Sequence, residues 1–430
     1  MKRKSLKEQA ALTAVSGALV RAAGFGMRLW ISRLLGSEAL GIMELASNAH
    51  MLALTPAASG LPQAVSRLTA RGQENGQDKL ALYAGRQLAL AMGLIITPLF
   101  FLLLPLIAQA LGDGRTLPAL LFFSPCMLAV GVSSVYDGYF FGQGRAWPPA
   151  LSEMAEQAVR LLIVAVFSRL VGRVTAAYRA ALPALASSLG EAAGLLVILL
   201  LCGAVPSYRK DKRLPAVRRE LLRLALPLTL NRFVHTGLRS LCGVIIPLRL
   251  MAGGLGKAEA LSRLGMLNGM VMPLMFLPGL LSGALSTVGG PAMARCGNRA
   301  AENRLIKRML LSALGIGAAC ACALYASAPL LAGMLYRRPE AAPLIRLACP
   351  LAVLLPLGQV CGGLMTGLGL QKKTLKASLL GSAVSLLFTW QWTKTQGVAG
   401  SACASMLGHG LTLLMELAAL LFREKTPAAP

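Results

Sequence analysis

The chain has 430 residues, of which 56% are apolar and 14% charged, and a mean hydropathy of +0.64. A soluble domain carries about 25% charged residues, so a water-soluble globular protein is excluded. Apolar stretches of about 20 residues recur along the whole length, each long enough to cross a hydrocarbon core of about 30 Å. The net charge of +26 invites a nucleic-acid reading. The lysines and arginines fall in alternate loops, however, which is the signature of membrane orientation, and no nucleic-acid partner is expected.

Twelve spans are predicted, near 10–32, 41–66, 86–111, 118–141, 148–168, 181–203, 221–248, 260–291, 305–332, 343–368, 374–393 and 398–422. The first follows Lys2, Arg3, Lys4 and Lys7, and no small-residue cleavage site closes a short apolar core. It reads as a retained helix, not a signal peptide. Within it Arg21 and Arg28 stand seven apart, two helical turns, on one face. The second span holds Asn48, His50, Pro56 and Gln63, and the fourth holds Pro125 and Asp137. The fifth holds Glu153, Glu156 and Arg160 at helical spacing, the sixth Glu191. The segment Arg209 to Arg223 (RKDKRLPAVRRELLR) is the densest basic stretch and suits anionic headgroups. The seventh span carries Arg232, His235 and Arg239, the eighth Asn268 and Pro278, the tenth Pro350, the twelfth Glu416. With these spans the termini and even-numbered connections hold 26 basic residues against 12 on the opposite side, which puts both termini in the cytoplasm.

The chain also carries its own second copy. At an offset of 225, Pro125, Val135, Gly138, Gly142 and Gly144 fall on Pro350, Val360, Gly363, Gly367 and Gly369. AVRLL (158–162) lands on AVSLL (383–387), Gly172 on Gly397 and Glu191 on Glu416. LTPAASG (54–60) and FLPGLLSG (276–283) align near offset 222. The expected organisation is therefore two repeated six-helix lobes, residues 1–205 and 221–430, joined by a basic cytoplasmic linker at 206–220. Duplicated helical membrane chains are typical of transporters, with a site between the halves.

No connection is long enough to fold as an aqueous domain, since the polar segments 67–80 and 204–220 are the largest. No GxxxxGK[ST] loop occurs, so nucleotide hydrolysis by that route is not expected. The nine cysteines contain no CxxC and read as small buried apolar residues. No nucleophile–base pair or metal constellation stands out. The expectation is a transporter rather than an enzyme, with no cofactor and no metal. Prolines at equivalent places in the halves, Pro56 with Pro278 and Pro125 with Pro350, read as hinges in kinked helices.

A charge at the bilayer centre costs roughly 2.5–3.5 kcal/mol on insertion scales. Arg21, Arg28, Arg232 and Arg239, in the opening helices of the two halves, therefore predict a cationic cavity for an anionic substrate. The alternative is that Arg21 and Arg28 snorkel to the interfaces or pair with Glu44 or Asp137. Glu153, Glu156 and Arg160 read as structural pairing. Asp137, Glu191 and Glu416 are candidates for proton or ion coupling, the last two being alternatively a repeated packing pair. Asn48, Gln63 and Asn268, with His50, either hydrogen-bond a sugar or bridge helices.

The run VRAAGFGMRLWISRLLGSEALGIMEL (20–45) with LALTPAASGLPQAVSRLTA (52–70) resembles the start of the polysaccharide-biosynthesis exporters of the stage V sporulation protein B type. YDGYFFGQGRAWPPALSEMAEQAVRLL (136–162) resembles that family's passage from fourth to fifth helix. The resemblance places the chain in the multidrug/oligosaccharidyl-lipid/polysaccharide (MOP) exporter superfamily, beside lipid II flippases and drug antiporters. It implies an all-α, MATE-like pair of six-helix lobes in a V. It also implies alternating access and passage of a polyprenyl-diphosphate-linked sugar, lipid II or a polysaccharide precursor, across a bacterial cytoplasmic membrane. First-helix arginines line the cavity in the lipid II flippases, and the matching positions are Arg21 and Arg28. Family members often carry two further C-terminal helices, whereas this sequence stops at REKTPAAP, so the tail groove they form is not expected. A monomer is expected, with the lipid-linked sugar, the bilayer and envelope-synthesis proteins as partners. The competing readings are a cation-coupled drug antiporter of the same fold and a non-transporting scaffold for envelope synthesis.

Overall fold

The computed structural model describes residues 6–72, 78–169, 171–208, 211–294, 296 and 298–422. It describes side chains from residue 22 on, apart from 171, 284, 287, 288, 291 and 294. Among the described residues there is helix and no strand. The chain divides into two compact units, Met1–Ser240 and Leu241–Pro430.

The first unit opens with α1 (Leu6–Ala58), which is not one rod: Gly36 takes φ 76°, ψ 167°, a conformation essentially reserved for glycine. The break makes two arms, and α2 (Gly60–Gly72) continues the second. Then follow α3 (Asp78–Leu102), α4 (Leu104–Ala110), α5 (Leu117–Phe123), α6 (Cys126–Gly142), α7 (Trp147–Phe167) and α8 (Ala176–Cys202). The unit closes with α9 (Leu214–Ala252) as far as Ser240. Pro125 has no N–H to continue the ladder, and α5 and α6 meet there at 41°. The core joins Leu61 and Val65 of α2, Leu82 and Tyr83 of α3, Val135, Tyr136 and Phe140 of α6, and Leu221 of α9.

The second unit contains α10 (Lys257–Leu264), a π turn at Gly265–Val271, α11 (Met272–Ala294), α12 (Arg299–Leu330) and a second π turn at Leu331–Leu335. It ends with α13 (Ala341–Ala348), α14 (Leu351–Gly367), α15 (Gln371–Gln396) and α16 (Val398–Leu421). The first π turn precedes Pro273, which cannot donate to Gly269, so the ladder slips by one residue. Its core packs Ile306 and Met309 of α12 on Val360, Cys361 and Leu364 of α14 and on Leu413 of α16.

The internal repeat is physical. The bounds of α6 and α14 differ by 225 residues at both ends, and Pro125 and Pro350 each immediately precede the helix. In the first unit a Cβ on Gly138 would sit 2.3 Å from the Pro62 carbonyl oxygen, and one on Gly142 would sit 2.6 Å from that of Ser66. In the second, Gly363 stands the same way to Ser286 at 2.9 Å and Gly367 to Gly290 at 2.2 Å. Gly144 and Gly369 close the two helices with φ of 69° and 73°.

Among the described residues, seven helices are individually long and apolar enough to cross a membrane, and the bent α5–α6 pair makes an eighth. Among the rest, α7 is interrupted by charge, holding Glu153, Glu156 and Arg160. With α1 divided at Gly36 and short helices joined to the rods they continue, the described helices run as the twelve expected rods. Leu94, Ile95, Leu99, Phe101, Leu102 and Leu106 of α3 and α4 are all more than half exposed. An apolar face of that extent belongs against lipid.

Candidate functional site

The first unit gathers its intramembrane charges in two neighbouring places. In the first, Arg28 of the first arm of α1 reaches Glu44 of the second arm, Nη2 to Oε1 at 2.5 Å. In a straight helix sixteen residues would separate them by about 24 Å; the turn at Gly36 brings them together. The Arg28 side chain is 44% exposed and that of Glu44 12%. One turn beyond Glu44, the Asn48 carbonyl accepts from Ser240 Oγ of α9 at 3.0 Å. A Cβ on Gly237 would lie 3.7 Å from Leu52. The helix bearing Arg232, His235 and Arg239 thus packs on the arm that holds Arg28's partner. Arg232 and Arg239 are exposed and His235 is half-buried.

The second place is the α7–α8 seam. Arg160 of α7 donates from Nη2 to Glu191 of α8 at 2.8 Å and also pairs with Glu156 one turn earlier on α7. Gly190 and Gly194 permit this: a Cβ on Gly190 would fall 2.7 Å from Arg160 Cγ, and Ser152 Oγ donates to the Gly194 carbonyl at 2.8 Å. Asp137 of α6 lies within electrostatic reach of Glu153 and Glu156. Four carboxyl groups, Asp137, Glu153, Glu156 and Glu191, thus surround one guanidinium. Gln157 of α7 presents a buried Oε1 without a hydrogen-bond partner among the described residues, 4.0 Å from where a Gly24 Cβ would stand. Gly24 is one turn before Arg28 on the same face of the first arm, so α7 runs alongside the arm that carries Arg28.

A third polar knot fixes the arm from its far end. Arg115, in the connection between α4 and α5, bridges Glu38 at 2.6 Å and Asp113 at 3.0 Å. The Asp113 side chain, then Glu38, holds the guanidinium pKa above its ordinary value. Glu38 stands two residues past Gly36, so the break is clamped beside its pivot.

The remaining expected residues lie elsewhere. The Arg21 side chain is outside the described residues. Gln63 is exposed on α2, fifteen residues past Asn48 and beyond the break at Ser59. Asn268 lies in the π turn of the second unit. Glu416 of α16, also in the second unit, is 3% exposed, and its Oε2 has no hydrogen-bond partner among the described residues. Pro56 and Pro278 lie inside α1 and α11, while Pro125 and Pro350 stand at the starts of α6 and α14. His50 is a packing residue: its ring stacks on Phe123 at 4.4 Å and its Nε2 is 3.4 Å from Cys126 Sγ. Among the described residues no group of three or more His, Cys, Asp or Glu side chains is placed to hold a metal. Sequence reasoning overlooked Gly24, Gln157 and the Arg160–Glu191 bridge. The GxxxG spacing of Gly190 and Gly194 was the available signal for that bridge.

The helices and their paired charges are those of a polytopic membrane protein, and comparison with known proteins places it in the MOP superfamily. The chain belongs to the Polysaccharide biosynthesis protein family, which it matches over residues 6–297. It is 30% identical over 421 residues to Stage V sporulation protein B of Bacillus subtilis, covering 94% of this chain and 81% of that protein. It is 27% identical over 145 residues to the Lipid II flippase MurJ of the same organism, covering 31% of this chain and 27% of that one. Among solved structures, an inward closed lipid II flippase MurJ superposes with a TM-score of 0.77 at 13% identity, covering 96% of this chain and 87% of that one. An inward-facing MATE family multidrug transporter of the MOP superfamily gives a TM-score of 0.71 at 17% identity, covering 94% and 97%. The fold is that of the MOP superfamily, and the chain is related to its flippases.

Proposed function

We propose that this protein carries a polyprenyl-diphosphate-linked sugar, lipid II or a polysaccharide precursor, from the inner to the outer leaflet of the bacterial cytoplasmic membrane. It does so by alternating access, for cell-wall, spore-cortex or polysaccharide synthesis. The observation that carries the reading is Arg28, half-exposed on α1 and paired with the arm against which α9 packs, in a chain related to lipid II flippases. Guanidinium groups suit phosphate oxygens because their planar donors match the anion's geometry and never lose their charge. Glu44 orients Arg28, and the diphosphate takes over that hydrogen bond when it enters. Arg21, Arg232 and Arg239 supply the remaining positive field. Asn48, Gln63 and Asn268 contact the sugar. Pro56, Pro125, Pro278 and Pro350 let helices flex as the lobes 1–205 and 221–430 rock, with the linker 206–220 against cytoplasmic headgroups. Asp137, Glu191 and Glu416 take up the coupling proton or cation. The protein works as a monomer with both termini in the cytoplasm, catalyses no covalent step and hands its cargo to envelope-synthesis enzymes.

The test is translocation of fluorescent lipid II by the purified protein in liposomes, wild type beside Arg21→Ala/Arg28→Ala. Transport by wild type and loss in the double variant are expected. Unimpaired transport by the double variant would remove these arginines from the site. A second reading, a cation-coupled drug antiporter, is favoured by the cluster of carboxyl groups, Asp137, Glu156 and Glu191, around Arg160. Ethidium efflux that needs Glu191 but not Arg28 would select it.

A further inference from the structure

Away from these charges, the second unit contains a groove where the first turns of α12 lie against the last turns of α16. Its volume is about 360 Å³, within the range of small-molecule sites. Helical geometry sorts its lining. Arg299, Asn303 and Lys307 follow one another at spacings of four and form one stripe of α12, and Ile306 and Leu310 form the adjacent stripe. The opposite wall is Leu417, Leu420 and Leu421 of α16. One side is cationic and the other aliphatic.

The position along the helices adds a second constraint. All the charges of α12 lie between Arg299 and Arg308, and from Met309 to Leu330 the helix has none. The groove therefore spans the level at which α12 passes from headgroups to hydrocarbon. Leu421, 70% exposed, and Phe422, 82% exposed, mark the same level on α16. Lys307 makes no ion pair among the described residues. An ammonium there, above a leucine wall, is complementary to a molecule with an anionic head and an apolar tail.

We propose that this groove binds a resident anionic phospholipid. Lys307 and Arg299 hold the phosphodiester, and the upper acyl chain lies along Leu310, Leu417 and Leu420. Basic pockets between membrane helices take lipid headgroups by this combination of charge and apolar contact. The site is separate from the Arg28–Glu44 region and does not depend on which cargo the protein moves.

The experiment uses the full chain in nanodiscs containing a phosphatidylglycerol with a diazirine on its acyl chain, followed by peptide mapping of the labelled protein. Label is expected on the first three turns of α12 and the last two of α16, and it should be competed by unlabelled phosphatidylglycerol but not by phosphatidylcholine. Lys307→Gln should lower labelling about fivefold, the effect of one interfacial cation, and Lys307→Arg should retain it. Leu417→Trp fills the apolar wall and should displace the label without touching a charge. Equal labelling with phosphatidylcholine, or no response to Lys307→Gln, would overturn the proposal. Competition by inorganic phosphate would reduce the groove to an anion site and overturn the lipid. Label confined to other helices would likewise overturn the proposal.

Discussion

Arg28 and Glu44 stand sixteen residues apart on the two arms of α1, and their side chains meet at 2.5 Å because the chain turns at Gly36. A half-exposed ion pair contributes little to stability, typically about 0–1 kcal/mol. Its weight lies in orientation: one carboxylate aims one intramembrane arginine, and a glycine with nothing around it makes the meeting geometrically available.

Gly36→Ala tests that geometry. No atom lies within 4 Å of where its Cβ would stand, so the substitution adds backbone strain and no clash. Holding alanine at φ 76°, ψ 167° costs about 1–3 kcal/mol. A lower melting temperature is expected, together with weaker bismaleimide cross-linking between Arg28→Cys and Glu44→Cys in the Gly36→Ala background. Undiminished cross-linking would show that the arms meet without the glycine.

The paired seams of α2 with α6 and α11 with α14 should respond alike. Gly138→Ala and Gly367→Ala each push a methyl to within 2.3 Å or less of a backbone carbonyl oxygen. Overpacking of this kind costs about 1–3 kcal/mol. Thermal unfolding in detergent should show comparable losses for the two, whereas Gly315→Ala, with open space around it, should be neutral or stabilising.

Removing Arg160 should cost more than removing either of its partners. Arg160→Met leaves Glu156 and Glu191 facing each other with no guanidinium, and stripping one partner from a buried pair costs about 3–5 kcal/mol. Glu191→Gln leaves Arg160 with Glu156 and should be milder. Equal melting temperatures for the two variants would show that the cluster is more solvated than its 15–18% side-chain exposure indicates.

Before α9, the Arg213 backbone N–H donates to Asp211 Oδ1 at 2.8 Å, and its guanidinium donates to Oδ2 at 3.0 Å. These bonds hold the Asp211 carboxyl below the ordinary carboxylate range. A carboxyl with a lowered folded-state pKa stabilises its surroundings above the unfolded value, about 4, and loses that as pH falls through the folded one. Hydrogen exchange at residues 211–214, corrected for intrinsic rate, should be steady from pH 8 to 5 and accelerate below about pH 4. Asp211→Asn should exchange fast throughout, and a flat profile in wild type would remove the carboxylate from the turn.

Much of this fold was legible in sequence, for reasons visible in individual residues. The repeat showed through Pro125 with Pro350 and Gly138 with Gly363, positions where backbone geometry tolerates little else, while the intervening leucines are interchangeable. The pairing of Glu156 with Arg160 followed from helical spacing. The bridge from Arg160 to Glu191 did not, because a contact between residues thirty-one apart depends on which faces of two helices meet. Gly36 read as one small residue among many between two spans, since φ is not written in composition. The π turn before Pro273 was likewise hidden, because a proline in a span announces a lost hydrogen bond but not how the helix absorbs it.

The glycine seams have a consequence for permeability. Where Gly138 and Gly142 lie on α2, and Gly363 and Gly367 on α11, carbonyl oxygens approach so closely that a methyl does not fit. A gap too narrow for a methyl is too narrow for a water molecule or a hydrated ion. These two lines of backbone contact are therefore insulated joints, and any polar cargo or leak current must find its way along other walls of each unit.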